Sequence, residues 1–190
     1  MGADTQSLEQ PGKKEAPYAN RTVALVGLMG AGKSTVGKRL ADVLKRQFHD
    51  SDHEIEKAAG LPVSDIFAIH GEAEFRRGER RVLERLLSGP PHVLATGGGA
   101  YLDEHTREIM RERAVTVWLN ADLETLWRRV QKRDSRPLLN TDNPRGVLEQ
   151  LLNERTPVYA LADVSVYSAD GPHGDTVSSI LKALEGWAPR

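Results

Sequence analysis

Residues 27–34 read GLMGAGKS, directly after the apolar run Thr22 to Val26. They fit the pattern GxxxxGK[ST], which predicts a strand, a glycine-rich turn and a helix that continues from Thr35 to Gln47. In such a loop backbone N–H groups point at phosphate oxygens, Lys33 reaches the terminal phosphates and Ser34 places its hydroxyl on Mg²⁺. The alternative is a chance glycine turn, but the strand, glycines, Lys-Ser pair and helical continuation stand in the required order.

Strand and helix patterns alternate along the rest of the chain. Apolar runs rich in β-branched residues predict five strands: Thr22 to Val26, a weaker run ending near Phe48-His49, His92 to Ala95, Val115 to Leu119 and Val164 to Tyr167. Helical spacing fills Ser34 to Gln47, Glu72 to Leu87, Asp103 to Arg113, Leu123 to Arg133, Gly146 to Glu154 and Thr176 to Trp187. This order predicts an α/β fold, a three-layer sandwich in which helices flank a central five-stranded parallel sheet, with ligands at the carboxyl ends of the strands.

Composition bounds the kind of protein. A chain of 190 residues fits one domain, predicted at 21–190, after a polar, aperiodic leader at 1–20 that we expect to be flexible. The net charge of −1 gives no global field that would attract nucleic acid or a membrane surface. No apolar run approaches the roughly 20 residues that span a bilayer. The absence of cysteine suits a reducing compartment, so we expect a cytoplasmic protein.

Two insertions interrupt the alternation of strands and helices. A short helical stretch occupies Ser51 to His70, and we assign about 51–80 to substrate binding. The polar stretch Arg133 to Arg145 predicts a mobile lid, at about 131–145, which would exclude water from a phosphoryl transfer. An ordinary surface loop is the alternative reading of the second stretch.

Acidic residues follow the weak second strand. Asp50 and Asp52 lie on the same side if the strand continues, so that one could hold Mg²⁺ through water while the other binds or deprotonates a substrate hydroxyl. A helix cap, Ser51 or Asp52 before a helix at 52–58, explains the same residues without chemistry.

Glycines and arginines supply further candidates for anion binding. Gly97-Gly98-Gly99 follows the strand ending at Ala95, where it could adopt positive φ and bring backbone N–H groups close to a substrate, or could be a merely flexible turn. A guanidinium group binds a carboxylate or phosphate through two parallel hydrogen bonds, although each arginine taken singly could be a solvated surface residue. The arginine candidates are Arg76, Arg77, Arg128, Arg129, Arg133, Arg136 and Arg155.

Together these residues resemble the shikimate kinase family over about Thr22 to Tyr167. The resemblance rests on six motifs in order: GLMGAGKSTVGKRLA from Gly27, DSDHEIE from Asp50, GEAEFRRGE from Gly71, ATGGGA from Ala95, SRPLL from Ser135 and ERTPVYALAD from Glu154. It implies a P-loop kinase that uses ATP and Mg²⁺ to phosphorylate the 3-hydroxyl of shikimate, in the route to aromatic amino acids. It also implies a monomer whose partners are these two small molecules.

The resemblance also implies roles for individual residues. Lys33, Asp52 and Arg136 would be catalytic: Lys33 contacts the transferring phosphate, Asp52 holds the reacting hydroxyl, and Arg136 swings in with the lid to neutralise charge. Ser34 and Asp50 would bind Mg²⁺, either directly or through a water molecule. The ATP site would comprise Gly30, Ala31, Gly32, Lys33, Ser34, Thr35, Arg129 and Arg136. The substrate site would comprise Asp52, Arg76, Gly98, Gly99 and Arg155, with both arginines on the shikimate carboxylate. The adenine loop would fall within 169–174.

Two other functions fit part of the pattern. A related small-metabolite kinase, such as one acting on gluconate, would share the phosphate loop and architecture. A nucleotide-binding regulatory module that has lost catalysis would share the fold, although every expected catalytic position is filled in this chain.

Overall fold

The structure, a computed structural model, describes residues 16–132, 137–169, 171 and 173–189. Its strands are β1 (Thr22–Val26), β2 (Phe48–Asp50), β3 (Val93–Ala95), β4 (Ala114–Asn120) and β5 (Val164–Tyr167). Its α-helices are α1 (Lys33–Leu44), α2 (Ser51–Ala59), α3 (Val63–Leu87), α4 (Glu104–Arg113), α5 (Leu123–Val130), α6 (Pro144–Tyr159) and α7 (His173–Glu185). Short 3₁₀ turns cover Ala100–Leu102 and Pro137–Leu139.

The five strands form one parallel sheet in the order β2-β3-β1-β4-β5. Every residue of β1 is buried, as expected for a central strand covered by helices on both faces. The predicted α/β architecture with five parallel strands is therefore confirmed. Because all strands point the same way, β1, β2 and β3 end at one edge of the sheet, and the segments that follow them meet there.

Several helix ends differ from the predicted ones. Helix α1 ends at Leu44, three residues early, because Lys45 adopts the left-handed conformation (φ 55°) and its N–H returns to the carbonyls of Ala41 and Asp42. Helix α6 continues past the predicted Glu154 to Tyr159, although it contains Pro157. The hydroxyl of Thr156 donates to the carbonyl of Leu152 at 2.7 Å, in the turn that precedes this proline.

The substrate-binding region predicted at 51–80 consists of two helices. Helix α2 ends at Ala59, with Gly60 as its cap, and α3 consists of two parts that meet at Gly71, so its second part begins at Glu72 as the sequence pattern predicted. At Gly71 the backbone leaves the helical conformation (φ 76°, ψ 171°), which only glycine adopts easily. This break separates the first two turns of α3 from the part that carries Arg76.

The amino-terminal residues that the structure describes are fixed to the domain. Residues 16–20, at the end of the expected leader, form turns, while 1–15 lie outside the described residues. The guanidinium group of Arg46 donates to the carbonyls of Tyr18 (3.1 Å), Ala19 (2.7 Å) and Arg21 (2.7 Å). Among the helices of the described ranges, none has the length and apolar character needed to cross a membrane.

Candidate active site

The glycine-rich loop between β1 and α1 depends on residues without a side chain. Gly27, Gly30 and Gly32 all have positive φ, and Gly32 is the residue that precedes α1. A side-chain carbon at Gly27 would lie 2.7 Å from the carbonyl oxygen of Leu119 on β4. The loop therefore turns tightly against the sheet and presents the N-terminus of α1 to the adjoining cavity, which favours a bound anion.

Lys33 and Ser34 lie at the start of α1, as the pattern predicted. The Nζ atom of Lys33 donates to the carbonyls of Gly27 (2.7 Å) and Leu28 (3.0 Å), so its ammonium group lies along the loop. The hydroxyl of Ser34 donates to Oδ2 of Asp50 at 2.6 Å. This contact joins the phosphate loop to the end of β2.

Asp50 and Asp52 come together for a different reason from the one the sequence suggested. Strand β2 stops at Asp50 and α2 begins at Ser51, so strand alternation does not place the two carboxylates. The cap of α2 is Asp50, which accepts the N–H of Asp52 at 3.1 Å, and the expectation that Ser51 or Asp52 would be the cap is wrong. The cap forms because a carboxylate at the end of the strand can reach the free N–H groups of the first turn.

The segments after β1, β2 and β3 surround one cavity of about 640 Å³. The predicted residues that line it are Gly30, Gly32, Lys33, Ser34, Thr35, Asp50, Asp52, Gly98 and Arg129. Ala31 belongs to the same loop but is buried, with its carbonyl bonded to Ser168. His53, Glu56 and Lys132 also line the cavity and were not singled out from the sequence.

Asp52 has an unusual electrostatic environment. Burial raises the pKa of its carboxyl group, and the neighbouring charge of Asp50 raises it further, while Lys33 and Arg76 lower it. The carboxylate lies against Gly97, where a side-chain carbon would come within 2.6 Å of its Oδ1 atom. A carboxyl group whose pKa is raised suits the acceptance of a hydrogen bond or a proton from an alcohol.

Arg76 is held by a carboxylate that the sequence reasoning missed. Its Nη1 atom donates to Oε2 of Glu79 at 2.7 Å, and its Nη2 atom donates to Oε1 of Glu72 at 3.3 Å. Glu79 is 3% exposed, and burial raises the pKa of its carboxyl group, which Arg76 opposes. Its other oxygen, Oε1, has no hydrogen-bond partner among the described residues. Glu79 comes three residues after Arg76 on a predicted helix, and this spacing could have predicted the ion pair.

Arg77, the other arginine of the pair, is directed away from the site. Its side chain is 59% exposed and pairs with Glu74 on the outer face of α3. This position agrees with the reading of a solvated surface arginine. The guanidinium group of Arg76 instead lies against Gly99. A side-chain carbon added at Gly99 would be only 2.5 Å from its Nη2 atom.

The three glycines at 97–99 let neighbouring side chains approach the backbone closely, and they do not adopt unusual backbone angles. None of Gly97, Gly98 and Gly99 has positive φ, so the expectation of left-handed conformations is wrong. The N–H of Gly97 donates to the hydroxyl of Ser51 at 2.8 Å, which fixes the turn to α2. The Asp52 and Arg76 side chains crowd Gly97 and Gly99, so an added side-chain carbon at either position would displace the carboxylate or the guanidinium group.

Arg155 approaches the same turn from α6. Its Nη1 atom donates to the carbonyl of Gly98 at 3.3 Å, and the hydroxyl of the buried Tyr159 donates to that carbonyl too. Tyr159, one helical turn after Arg155, was not predicted as a site residue. The hydroxyl of Thr96, which also lines the cavity, donates to the carbonyl of Leu25 at 3.0 Å.

Arg129 joins α5 to the phosphate loop. Its Nη1 atom donates to the carbonyl of Gly30 (3.3 Å) and to Oγ of Ser168 (3.0 Å), and its Nη2 atom donates to the carbonyl of Ala169 (2.7 Å). The expected adenine loop therefore begins next to this arginine. The catalytic candidate Arg136 lies outside the described residues, with the rest of 133–136.

The oxygen atoms at Ser34 and Asp50 fit a magnesium ion that has few protein ligands. In the described ranges no group of three acidic or histidine side chains forms a complete metal cage. Mg²⁺ commonly binds one or two protein oxygens and takes its remaining ligands from water and substrate phosphates. A serine hydroxyl 2.6 Å from a carboxylate at the mouth of a phosphate loop matches that donor set.

Comparison with known proteins gives consistent results. The sequence model of the family described as shikimate kinase matches residues 29–185. A shikimate kinase from Caulobacter vibrioides is 54% identical over 169 residues, covering 89% of this chain and 84% of the relative. The solved shikimate kinase from Acinetobacter baumannii in complex with shikimate superposes with a TM-score of 0.83 at 41% identity, covering 86% of this chain and 92% of that one.

A gluconokinase from Sinorhizobium meliloti has a TM-score of 0.60 at 19% identity, covering 90% of this chain and 93% of that one, which shows a shared fold alone. The family match spans well over half of the chain, and the Caulobacter relative is more than half identical across most of it. This chain belongs to the shikimate kinase family.

Proposed function

We propose that this protein transfers the γ-phosphoryl group of ATP to the 3-hydroxyl of shikimate, giving shikimate 3-phosphate and ADP in the route to aromatic amino acids. The observation that carries the proposal is one cavity in which Lys33, the Ser34–Asp50 pair and the partly buried Asp52 lie side by side. Phosphoryl transfer depends mainly on positioning and charge stabilisation, and these residues supply both.

Asp52 would hold the reacting hydroxyl. Its raised pKa makes the ionised carboxylate a better acceptor than an exposed aspartate, so it can bind the hydroxyl and take its proton as the new O–P bond forms. Lys33 would leave the carbonyls of Gly27 and Leu28 when a nucleotide enters and would contact the transferring phosphate. Arg136 would add charge from the lid.

Ser34 and Asp50 would hold Mg²⁺, directly or through water. The ion, when bound, neutralises charge on the phosphate oxygens and fixes their geometry. The hydroxyl of Ser34 donates to Asp50, and this pair keeps both oxygens at the end of the phosphate loop. The backbone from Gly30 to Gly32, with Thr35, would surround the phosphates, and Arg129 would flank the adenine.

Arg76 and Arg155 would bind the shikimate carboxylate. Arg76 on α3 lies against Gly99 and Arg155 on α6 bonds to Gly98, so both guanidinium groups adjoin this turn. Glu79 holds Arg76 through Nη1 and so limits the directions in which that side chain can point. An acceptor that carries both a carboxylate and a reacting hydroxyl fits a site that combines these arginines with Asp52.

The other functions have less support. The likeness to a gluconokinase extends to the fold, whereas the family match and the high identity both concern shikimate kinases. A regulatory module without catalysis has no reason to keep Lys33, Asp50 and Asp52 around one cavity. We further propose a cytoplasmic monomer, which the near-neutral charge and the absence of cysteine support.

The test is an assay that couples ADP release to NADH oxidation, with shikimate, gluconate or no acceptor, each with and without Mg²⁺. Turnover that requires both shikimate and Mg²⁺ is the expected result. Turnover with gluconate and none with shikimate would support the related kinase. ATP binding with no turnover on either acceptor would support the regulatory module.

A further inference from the structure

Ser168 is a buried residue at which three parts of the nucleotide site meet. It follows the last residue of β5, is 1% exposed, and its N–H donates to the carbonyl of Asn120 on β4 at 2.6 Å. Its hydroxyl donates to the carbonyl of Ala31 in the phosphate loop at 3.0 Å. The same oxygen accepts a hydrogen bond from Nη1 of Arg129 at 3.0 Å.

The hydrogen bond from Ser168 to Ala31 lies at a point where the backbone of the phosphate loop is flexible. Ala31 lies between Gly30 and Gly32, which both have positive φ and restrict the backbone weakly. A loop of this kind keeps one shape only when the surrounding structure fixes it. Ser168 fixes its midpoint, and Arg129 fixes the carbonyl of Gly30 at 3.3 Å.

The hydroxyl also determines how Arg129 is oriented. Nη1 of this arginine is shared between Ser168 and Gly30, and Nη2 bonds to the carbonyl of Ala169. Without the hydroxyl, the carbonyl of Ala31 loses its side-chain donor and Nη1 keeps only its longer bond to Gly30. The bond to Ala31 is buried, where losing a hydrogen-bond partner is costly, and the half-buried guanidinium group of Arg129 would be held by fewer contacts.

We propose that Ser168 is a positioning residue for the nucleotide. Through one hydroxyl group it couples the shape of the phosphate loop to the orientation of Arg129 and to the segment after β5. The inference rests on the proposed function in that this loop and this arginine bind ATP. It assigns the residue an effect on nucleotide affinity, with no contact to the acceptor.

The test compares Ser168→Ala and Ser168→Thr with a matched control, Thr22→Val. Thr22 is equally buried at 2% exposure, and its hydroxyl oxygen accepts the N–H of His92 at 3.3 Å, but it lies at the opposite end of β1 from the phosphate loop. The measurements are equilibrium binding of a fluorescent methylanthraniloyl-ADP, the KM values for ATP and shikimate, and thermal unfolding.

We expect Ser168→Ala to weaken binding of the ADP probe and raise the KM for ATP about tenfold, with the KM for shikimate within about twofold of the parent value. Ser168→Thr retains the hydroxyl and should restore most of the affinity. Thr22→Val should lower the unfolding temperature without changing probe affinity.

Parent-like binding by Ser168→Ala would overturn the proposal. Equal weakening in Thr22→Val would also overturn it, because the effect would then be a general loss of stability. Probe binding needs no acceptor, so the two proposals can fail separately. A parent protein that binds the probe but does not phosphorylate shikimate would refute the proposed function. The affinity of the Ser168 variants for the probe would then still decide the role of Ser168. A parent protein that does not bind the probe would refute both.

Discussion

Gly97→Ala is expected to damage catalysis far more than folding. The added carbon would lie 2.6 Å from Oδ1 of Asp52 and 3.0 Å from Oε1 of Glu79, both well inside normal contact distance. These atoms end flexible side chains, so the fold can relieve the clash by moving the carboxylates. A displacement approaching 1 Å at a reacting group costs about 100-fold in rate. We therefore expect kcat/KM for shikimate to fall by about that factor, or ~2.7 kcal/mol.

The assay for Gly97→Ala measures kcat/KM with shikimate varied, the KM for ATP and the unfolding temperature. Gly78→Ala is the matched control, because this glycine lies on the same helix as Glu79 and has no atom within 4 Å of an added side-chain carbon. It should keep activity and stabilise the helix by about 0.5–1 kcal/mol. Parent-like kcat/KM in Gly97→Ala would refute the argument that Asp52 is held in its working position by the absence of a side chain there.

Three further predictions concern single side chains. The pKa of Asp52 is raised above its ordinary value of about 3.9, so kcat/KM should fall as the pH is lowered through that raised pKa. Asp52→Asn should lower kcat and abolish this loss of activity at acidic pH. An unchanged loss at acidic pH would exclude Asp52 as its source. Arg155→Lys should raise the KM for shikimate about tenfold and leave the KM for ATP unchanged, because lysine cannot form a bidentate contact; a change in ATP affinity instead would mean that Arg155 serves the nucleotide. Arg46→Ala should lower the free energy of unfolding in urea by about 2 kcal/mol, since three carbonyls lose a charged donor; parent-like stability would show that these bonds add nothing.

Local sequence patterns predicted the features that depend on near neighbours. β1 and the phosphate loop form where predicted, because the apolar run, the glycines and Lys33 each act within a few residues. The five parallel strands follow from the same alternation of patterns. The end of α1 was misplaced because the left-handed turn at Lys45 has no glycine to mark it. The break at Gly71 falls where the sequence pattern ended one helical stretch, at His70, and began the next, at Glu72.

Features formed by contacts between distant segments could not be predicted. Arg155 and Tyr159 donate hydrogen bonds to Gly98, which lies about sixty positions earlier in the sequence. No local pattern near Tyr159 indicates that its hydroxyl would form such a bond. The glycines at 97–99 suggested backbone freedom, whereas the structure requires them for space beside Asp52 and Arg76. The link from Ser168 to Ala31 joins residues 137 positions apart in the sequence. Only the folded arrangement of the strands brings these groups together.

Identification of the product tests the central claim most directly. Incubation of the protein with ATP, Mg²⁺ and shikimate, followed by ³¹P and ¹H NMR, would show which oxygen receives the phosphoryl group. The account predicts ADP and a phosphate ester on the 3-hydroxyl of shikimate, in equal amounts. ADP with inorganic phosphate and unchanged shikimate, or an ester at another hydroxyl, would contradict the assignment of Asp52 and the arginines.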